Sequence, residues 1–318
     1  MFARLRLAGR ALCTGRTGAL LCGSGCAAAS ALAYAGRPST CEPLLVQTKK
    51  PFLVSPSPAE STFPTFEQKL IAEFMGTAMI VLGGCGAVCT AKYAGGNSTL
   101  FGMAATWGIA VAIAVFTTRK ISGAHLNPAV TGALVATDGF SLEEAPFYVA
   151  AQVAGATFAG LVNYVIFSPG IAAMEAAEGI VRGSAASTAS FNGAFGMVPN
   201  AAICGPVGAF LLEVWMTGVF VFCVLAHGDD DSVADYAAPA MVGATVTSMI
   251  CIFGPITGCG MNPARDIGPR LVTLFTGWGS AALSSAWVYT LGPLLGGVLG
   301  ALVYKNTLDK SVTRPNRK

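Results

Sequence analysis

The chain has 318 residues, of which 53% are AVILMFWYC and only 11% are charged. Soluble proteins carry about 25% charged residues, so this chain has too few to cover the water-facing surface of two soluble domains. The mean hydropathy of +0.62 points to a multi-span membrane protein, and the net charge of +3 excludes a basic field suited to nucleic acid.

Ten cysteines lie mostly in apolar runs of a long chain, which is not the pattern of a secreted disulfide scaffold. CxxC, HExxH and paired His/Cys spacings are all missing, and there are two histidines. No metal, no cofactor and no enzymatic activity are therefore expected.

Residues 1–41 hold Arg4, Arg6, Arg10, Arg16 and Arg37 but no Lys and no acid. That composition reads as an organellar transit peptide or as a disordered cytoplasmic tail. A third reading is a signal peptide or a weak extra span over Gly18–Gly36, poor in insertion energy because Ala and Gly dominate it. Residues 42–65, with Pro43, Pro51, Pro56, Pro58 and Pro64, read as a linker.

Six apolar runs follow, at 70–91, 102–118, 145–167, 205–226, 238–254 and 284–304. Crossing the hydrocarbon takes ~20 residues. Only helices or closed barrels satisfy their backbone in lipid, and barrel-type alternation is missing, so all six read as helices. Gly292, Gly296 and Gly300 recur at every fourth position of the last run, a face for close packing. With six spans both termini share one side. Lys49, Lys50, Lys69, Arg119, Lys120 and the basic tail 306–318 all fall on it, against Lys92 and Arg182 opposite, so both termini are expected inside. The cluster Asp229, Asp230, Asp231 and Asp235 falls there too, and acids count little in that rule.

Two connections are too apolar for loops and too short for spans: Ile121–Thr137 and Thr257–Phe275. Each carries Asn-Pro-Ala, as Asn127-Pro128-Ala129 and Asn262-Pro263-Ala264, 135 residues apart. One copy alone signals only a helix start, with Asn as N-cap and Pro in the first turn. Two copies, each after the second span of a three-span half, signal a repeat. Glu73 and Glu213 repeat as well, in the first span of each half. Three spans per half is an odd number, so the halves are inverted, the way many membrane proteins build a site at the midplane.

On SGAHLNPAV (122–130), GCGMNPARDIGPR (258–270), the paired glutamates and the six-span layout, residues 66–305 resemble the major intrinsic protein family, the aquaporins and glycerol facilitators. The resemblance implies an all-α, right-handed bundle of six transmembrane helices plus two re-entrant half-helices. It also implies a homotetramer with one pore per subunit. Positive helix ends then face each other at the membrane centre, where they repel cations and protons. The Asn127 and Asn262 amides donate into the pore and interrupt any proton wire.

The family pattern assigns the narrow outer constriction to Trp107, Ile250, Cys259 and Arg265. An intramembrane Arg is a functional candidate in its own right. Trp107, Asp266 and Arg270 resemble the glycerol branch, in which Asp266 braces the loop with Arg265. Cys259 and Tyr289 lean toward water channels. Glu73 and Glu213 are expected to accept N–H groups of the half-helix loops, with His125 and Gln152 as further braces. The reading is a passive channel for glycerol-like polyols, related small uncharged solutes and water, excluding ions and protons. A water-selective channel is the alternative; a coupled transporter and an intramembrane enzyme carry less weight. The membrane is the plasma membrane, or an organellar one if 1–41 is a transit peptide.

Overall fold

A chain in hydrocarbon must satisfy every backbone N–H and C=O internally, and a helix does so locally. The computed structural model describes residues 63–96, 99–137, 139–229 and 237–313, all within one compact unit, Ser61–Lys318. The expectations for residues 1–41, most of the 42–65 linker, the acidic cluster beyond Asp229 and the last five residues lie outside the described residues.

In chain order the helices are α1 (Phe66–Tyr93), α2 (Leu100–Ser122), α3 (Pro128–Ala136), α4 (Ala145–Glu178), α5 (Thr188–Phe191), α6 (Pro206–Asp229), α7 (Ala237–Thr257), α8 (Pro263–Thr273), α9 (Ala286–Thr307) and α10 (Lys310–Thr313). Among the described residues six helices are long and apolar enough to cross a membrane. They are α1, α2, α4, α6, α7 and α9, the last extended to Val312. Their caps are local: Thr65 and Gln68 form a capping box ahead of α1, and Thr99 accepts from the Gly102 N–H at the start of α2. α9 and α10 carry helix into the stretch read as a basic tail.

The largest difference from the sequence reading is in α4. Its apolar run ends near residue 167, yet the helix continues through Ser168-Pro169-Gly170 to Glu178. Pro169 removes one backbone donor, and the flanking turns carry the helix past it. Thirty-four residues make a rod about 51 Å long, against ~30 Å of hydrocarbon. The excess reaches polar surroundings. There Glu175 pairs with Arg182 (Nε–Oε2 2.9 Å), and the Arg182 guanidinium lies 4.0 Å from the centre of the Trp278 ring.

The long helices keep apolar residues on their outer faces: Ile109, Ile113 and Phe116 on α2, and Leu291, Leu295 and Leu299 on α9, are all exposed. Such faces suit lipid rather than water. Inside, close packing relies on small residues. A Cβ on Gly296 would sit 2.2 Å from the Val214 carbonyl oxygen, and one on Gly300 would sit 2.1 Å from that of Gly218, so α9 rests directly on the α6 backbone.

The closest helix pairs are α1 with α4, α6 with α9, and α2 with α7. The short helices cross between halves: α3 packs on α9 and α8 packs on α4. Each half therefore clamps the half-helix of the other, and the two Asn-Pro-Ala turns meet in the middle.

Candidate functional site

Both half-helices are entered through a five-residue loop with the same backbone. Gly123 (φ 87) and Gly258 (φ 85) turn the chain out of the preceding helix in the left-handed region, where a Cβ is costly. The strained pattern continues at Ala124 (φ 54) and Leu126 (φ 52), and again at Cys259 (φ 60) and Met261 (φ 50). Such backbone persists only where neighbours over-determine it. Here a buried carboxylate does so in each half.

Glu73 accepts four hydrogen bonds: from Ser122 Oγ (2.6 Å) and the His125 N–H (2.9 Å) on one oxygen, and from the Leu126 N–H (2.7 Å) and Gln152 Nε2 (2.8 Å) on the other. Glu213 accepts three, each at 2.9 Å: from Thr257 Oγ1, the Gly260 N–H and the Met261 N–H. A tyrosine closes each loop from behind. Tyr148 donates to the Ser122 carbonyl (3.0 Å) and Tyr289 to that of Thr257 (2.6 Å). Tyr289 is thus the counterpart of Tyr148 and has a structural role that the sequence leaning toward water channels did not consider.

Asn127 and Asn262 cap the half-helices. Asn127 Oδ1 accepts from the Ala129 N–H (2.8 Å), and Asn262 Oδ1 accepts from the N–H groups of Ala264 (3.0 Å) and Arg265 (3.3 Å). Pro128 and Pro263 occupy the first turn, where their missing donor is unneeded. The amides are not wholly free, which corrects the sequence reading. Asn127 Nδ2 donates to the Met261 carbonyl (2.9 Å), and Asn262 Nδ2 donates to that of Leu126 (2.8 Å). These crossed bonds knot the two loops together. An amide has two N–H donors, so one remains on each Asn. Both residues line the central cavity.

That cavity has a volume of about 280 Å³ and two unlike walls. One wall is apolar. Trp107, Val111 and Val115 of α2 and Val242, Val246 and Ile250 of α7 line it at every fourth position. The other wall is the two strained loops, with Asn127, Asn262 and Arg265. Trp107 and Arg119 both line the cavity from α2, and twelve residues of helix separate them by about 18 Å. His227 stands with Arg119 at one end. Trp107, Ile250, Cys259 and Arg265 gather at the other.

Arg265 is 4% exposed, and its Nη1 is buried without a hydrogen-bond partner. Its guanidinium lies 4.2 Å from the centre of the Trp107 ring, an attraction worth about 0.5–2 kcal/mol. Unsatisfied buried donors are costly. Arg265 therefore presents a strong donor to whatever enters.

The supporting residues fall into two groups. In the first half His125 Nδ1 meets Thr131 Oγ1 (3.1 Å), Gln152 Nε2 also reaches Thr131 (3.0 Å), and the His125 ring packs against Phe140 and Tyr148. In the second half Asp266 supports a loop, as expected, but its partner is Arg270 rather than Arg265. It pairs with Arg270 (2.6 Å) one turn on and accepts from the Met197 N–H (2.7 Å). Arg270 donates in turn to the carbonyls of Met197, Ala282 and Ser284. The reason is helical geometry: side chains four residues apart share a face, and adjacent ones do not. Sequence reasoning missed Thr131, Ser122, Tyr148 and Met197. The 135-residue register would have paired Ser122 with Thr257; Met197 has no local signal.

The model of the family described as "Major intrinsic protein" matches residues 60–304. The glycerol uptake facilitator protein of Pseudomonas aeruginosa is 38% identical over 251 residues, covering 76% of this chain and 89% of that protein. The glycerol uptake facilitator protein of Escherichia coli K12 is 34% identical over 254 residues (77% and 90%). The propanediol uptake facilitator PduF of Salmonella typhimurium is 35% identical over 249 residues (76% and 94%). Among solved structures, the X-ray structure of the aquaglyceroporin from Plasmodium falciparum superposes with a TM-score of 0.69 at 25% identity, covering 78% of this chain and 99% of that one.

Proposed function

The chain belongs to the major intrinsic protein family, and we propose that its cavity is a passive pore for glycerol-like solutes and water. The observation that carries this reading is the pairing of unlike walls along one cavity. A polyol has a carbon side and a hydroxyl side. Its carbons slide along Trp107, Val111, Val115 and the α7 stripe, while its hydroxyls exchange partners along the loop wall.

Each step has a named partner. At the Trp107 end, Arg265 donates to a hydroxyl oxygen while the carbon chain lies on the ring and on Ile250. The Gly258 and Cys259 carbonyls, which accept no hydrogen bond within the chain among the described residues, take the hydroxyl protons. At the centre the remaining N–H of Asn127 and of Asn262 each require an oxygen lone pair. A molecule bound to both has its oxygen turned toward the loops, so a continuous donor chain of water is broken there. The N-termini of α3 and α8 repel cations and protons at that depth, and the Arg265 charge does so at the Trp107 end. Cations and protons are turned away, while a neutral hydroxyl-bearing solute finds a partner for each polar atom.

The relatives named for glycerol and propanediol uptake support the solute class. Those relatives do not favour the water-selective alternative, and Tyr289, one of the two residues leaning toward it, doubles as a loop brace. Trp107, Ile250, Cys259 and Arg265 are assigned as the selecting ring, facing outward, with both termini inside on the charge bias. The subunit is assigned to a homotetramer, and residues 1–41 to targeting or to a tail. Stopped-flow light scattering on reconstituted vesicles tests the function. Glycerol must re-swell shrunken vesicles far faster than it does empty ones, and equal rates reject the reading.

A further inference from the structure

Trp107 lies on bare backbone. Gly84 of α1 is buried, and a Cβ built on it would fall 2.1, 2.2 and 2.3 Å from Cε3, Cδ2 and Cζ3 of the Trp107 ring. Carbon atoms in contact stand about 3.5–4.0 Å apart, so a methyl there would force the ring back by roughly 1.3 Å or more. Gly84 does not line the cavity, whereas Trp107 does; Gly84 therefore lies behind the ring, and the ring retreats into the cavity. The Arg265 guanidinium already stands 4.2 Å from the ring centre. Its backbone is held by the Asn262 cap, so it has little room to yield.

We propose that Gly84 is a positioning residue for selectivity: the missing side chain sets how far the Trp107 ring stands from Arg265, and so the width a solute must pass. This rests on reading the Trp107 ring as the selecting constriction. Two observations separate the role from ordinary helix packing. The glycines of the tightest backbone crossings face neighbouring carbonyls, as Gly155 faces the Phe74 carbonyl oxygen at 2.1 Å and Gly296 that of Val214 at 2.2 Å. The three heavy atoms nearest a Cβ on Gly84 all belong to the ring of a wall residue. The inverted repeat also offers a comparison. The position related to Gly84 by the Glu73-to-Glu213 register is Val224, and that related to Trp107 by the Asn-Pro-Ala register is Val242. At that end of the cavity a β-branched residue is accommodated, because no indole needs a seat.

The test compares Gly84→Ala, Trp107→Leu and the double variant in proteoliposomes, with water and glycerol fluxes measured at equal protein abundance. Gly84→Ala is expected to cut glycerol flux about tenfold, a barrier change of ~1.4 kcal/mol, and water flux much less. Adding Trp107→Leu removes the displaced ring, so the double variant conducts glycerol like Trp107→Leu alone. An unchanged glycerol-to-water ratio in Gly84→Ala overturns the proposal, as does a loss that Trp107→Leu leaves unrepaired. If Gly84→Ala does not reach the membrane, recovery of assembly by Trp107→Leu supports the displacement and failure to recover rejects it. If the wild-type chain conducts water alone, the glycerol reading falls, and Gly84 is then judged by whether its methyl slows water and Trp107→Leu restores it.

Discussion

The inverted repeat allows the two ends of one cavity to be compared position by position. Trp107, Ile250, Cys259 and Arg265 at one end correspond, in the 135-residue register, to Val242, Val115, Ala124 and Val130 at the other, and all eight line the cavity. The backbone is nearly the same at both ends, down to φ 54 at Ala124 and φ 60 at Cys259. Chemistry differs: one ring is small and apolar, and the other holds an aromatic face and a cation with one buried nitrogen left without a hydrogen bond among the described residues. A repeat thus fixes the geometry of a passage while leaving each end free to take its own selectivity. The supports have diverged in the same way. Glu73 receives four donors and Glu213 three. The first half adds a neutral network through Thr131 and Gln152, and the second adds the buried Asp266–Arg270 pair.

That divergence is testable, starting with the carboxylates. Hydrogen bonds to a charged group are worth about 1.5–3 kcal/mol each, and a glutamine must point its NH2 at one backbone N–H. Glu73→Gln is expected to cost on the order of 5 kcal/mol or more, and Glu213→Gln less by roughly one charge-assisted bond. Thermal unfolding in detergent ranks them; a reversed order would mean that the donor count does not govern loop stability. Asp266→Asn comes next. It leaves Arg270 buried (1% exposed) with carbonyl partners only, a loss of about 3–5 kcal/mol. Thr131→Val at the equivalent position of the first half removes a neutral hydroxyl and should cost about 1 kcal/mol. Equal losses at the two positions would erase the distinction between the two supports.

How much of this was legible in the sequence depended on range. The six spans, the two half-helices and the glutamates were readable, because apolar length and a doubled tripeptide are local signals. The extension of α4 to Glu178 was not, since the turns beyond Pro169 are held by a partner, Arg182, that an apolar run does not reveal. Asp266 was read with its neighbour Arg265 although helical spacing favours Arg270. The Asn amides were read as free because the crossed bonds to Leu126 and Met261 join residues 136 and 134 positions apart. Gly84 was invisible for the same reason: its function lies in a side chain on another helix.

The ring itself gives the sharper and smaller tests. Arg265→Val copies Val130 into the ring and removes its only charge. Cation leak across planar bilayers is then expected to rise about tenfold, equal to ~1.4 kcal/mol of barrier, while neutral solutes still pass. An unchanged leak would assign exclusion to the half-helix dipoles alone.

Cys259→Ala is the mildest change, because it copies Ala124 into a backbone that already holds that conformation at φ 54. A thiol and a methyl differ by one polarizable atom, so water and glycerol fluxes are expected to stay within about twofold, under ~0.4 kcal/mol of barrier. What should vanish is inhibition by an organomercurial. Cys259 is a free thiol that lines the cavity beside Arg265, whereas buried Cys85 and Cys89 do not line it. Mercurial block that survives in Cys259→Ala would show that the blocking thiol lies elsewhere, and would remove Cys259 from the ring that distinguishes this end of the cavity from its counterpart.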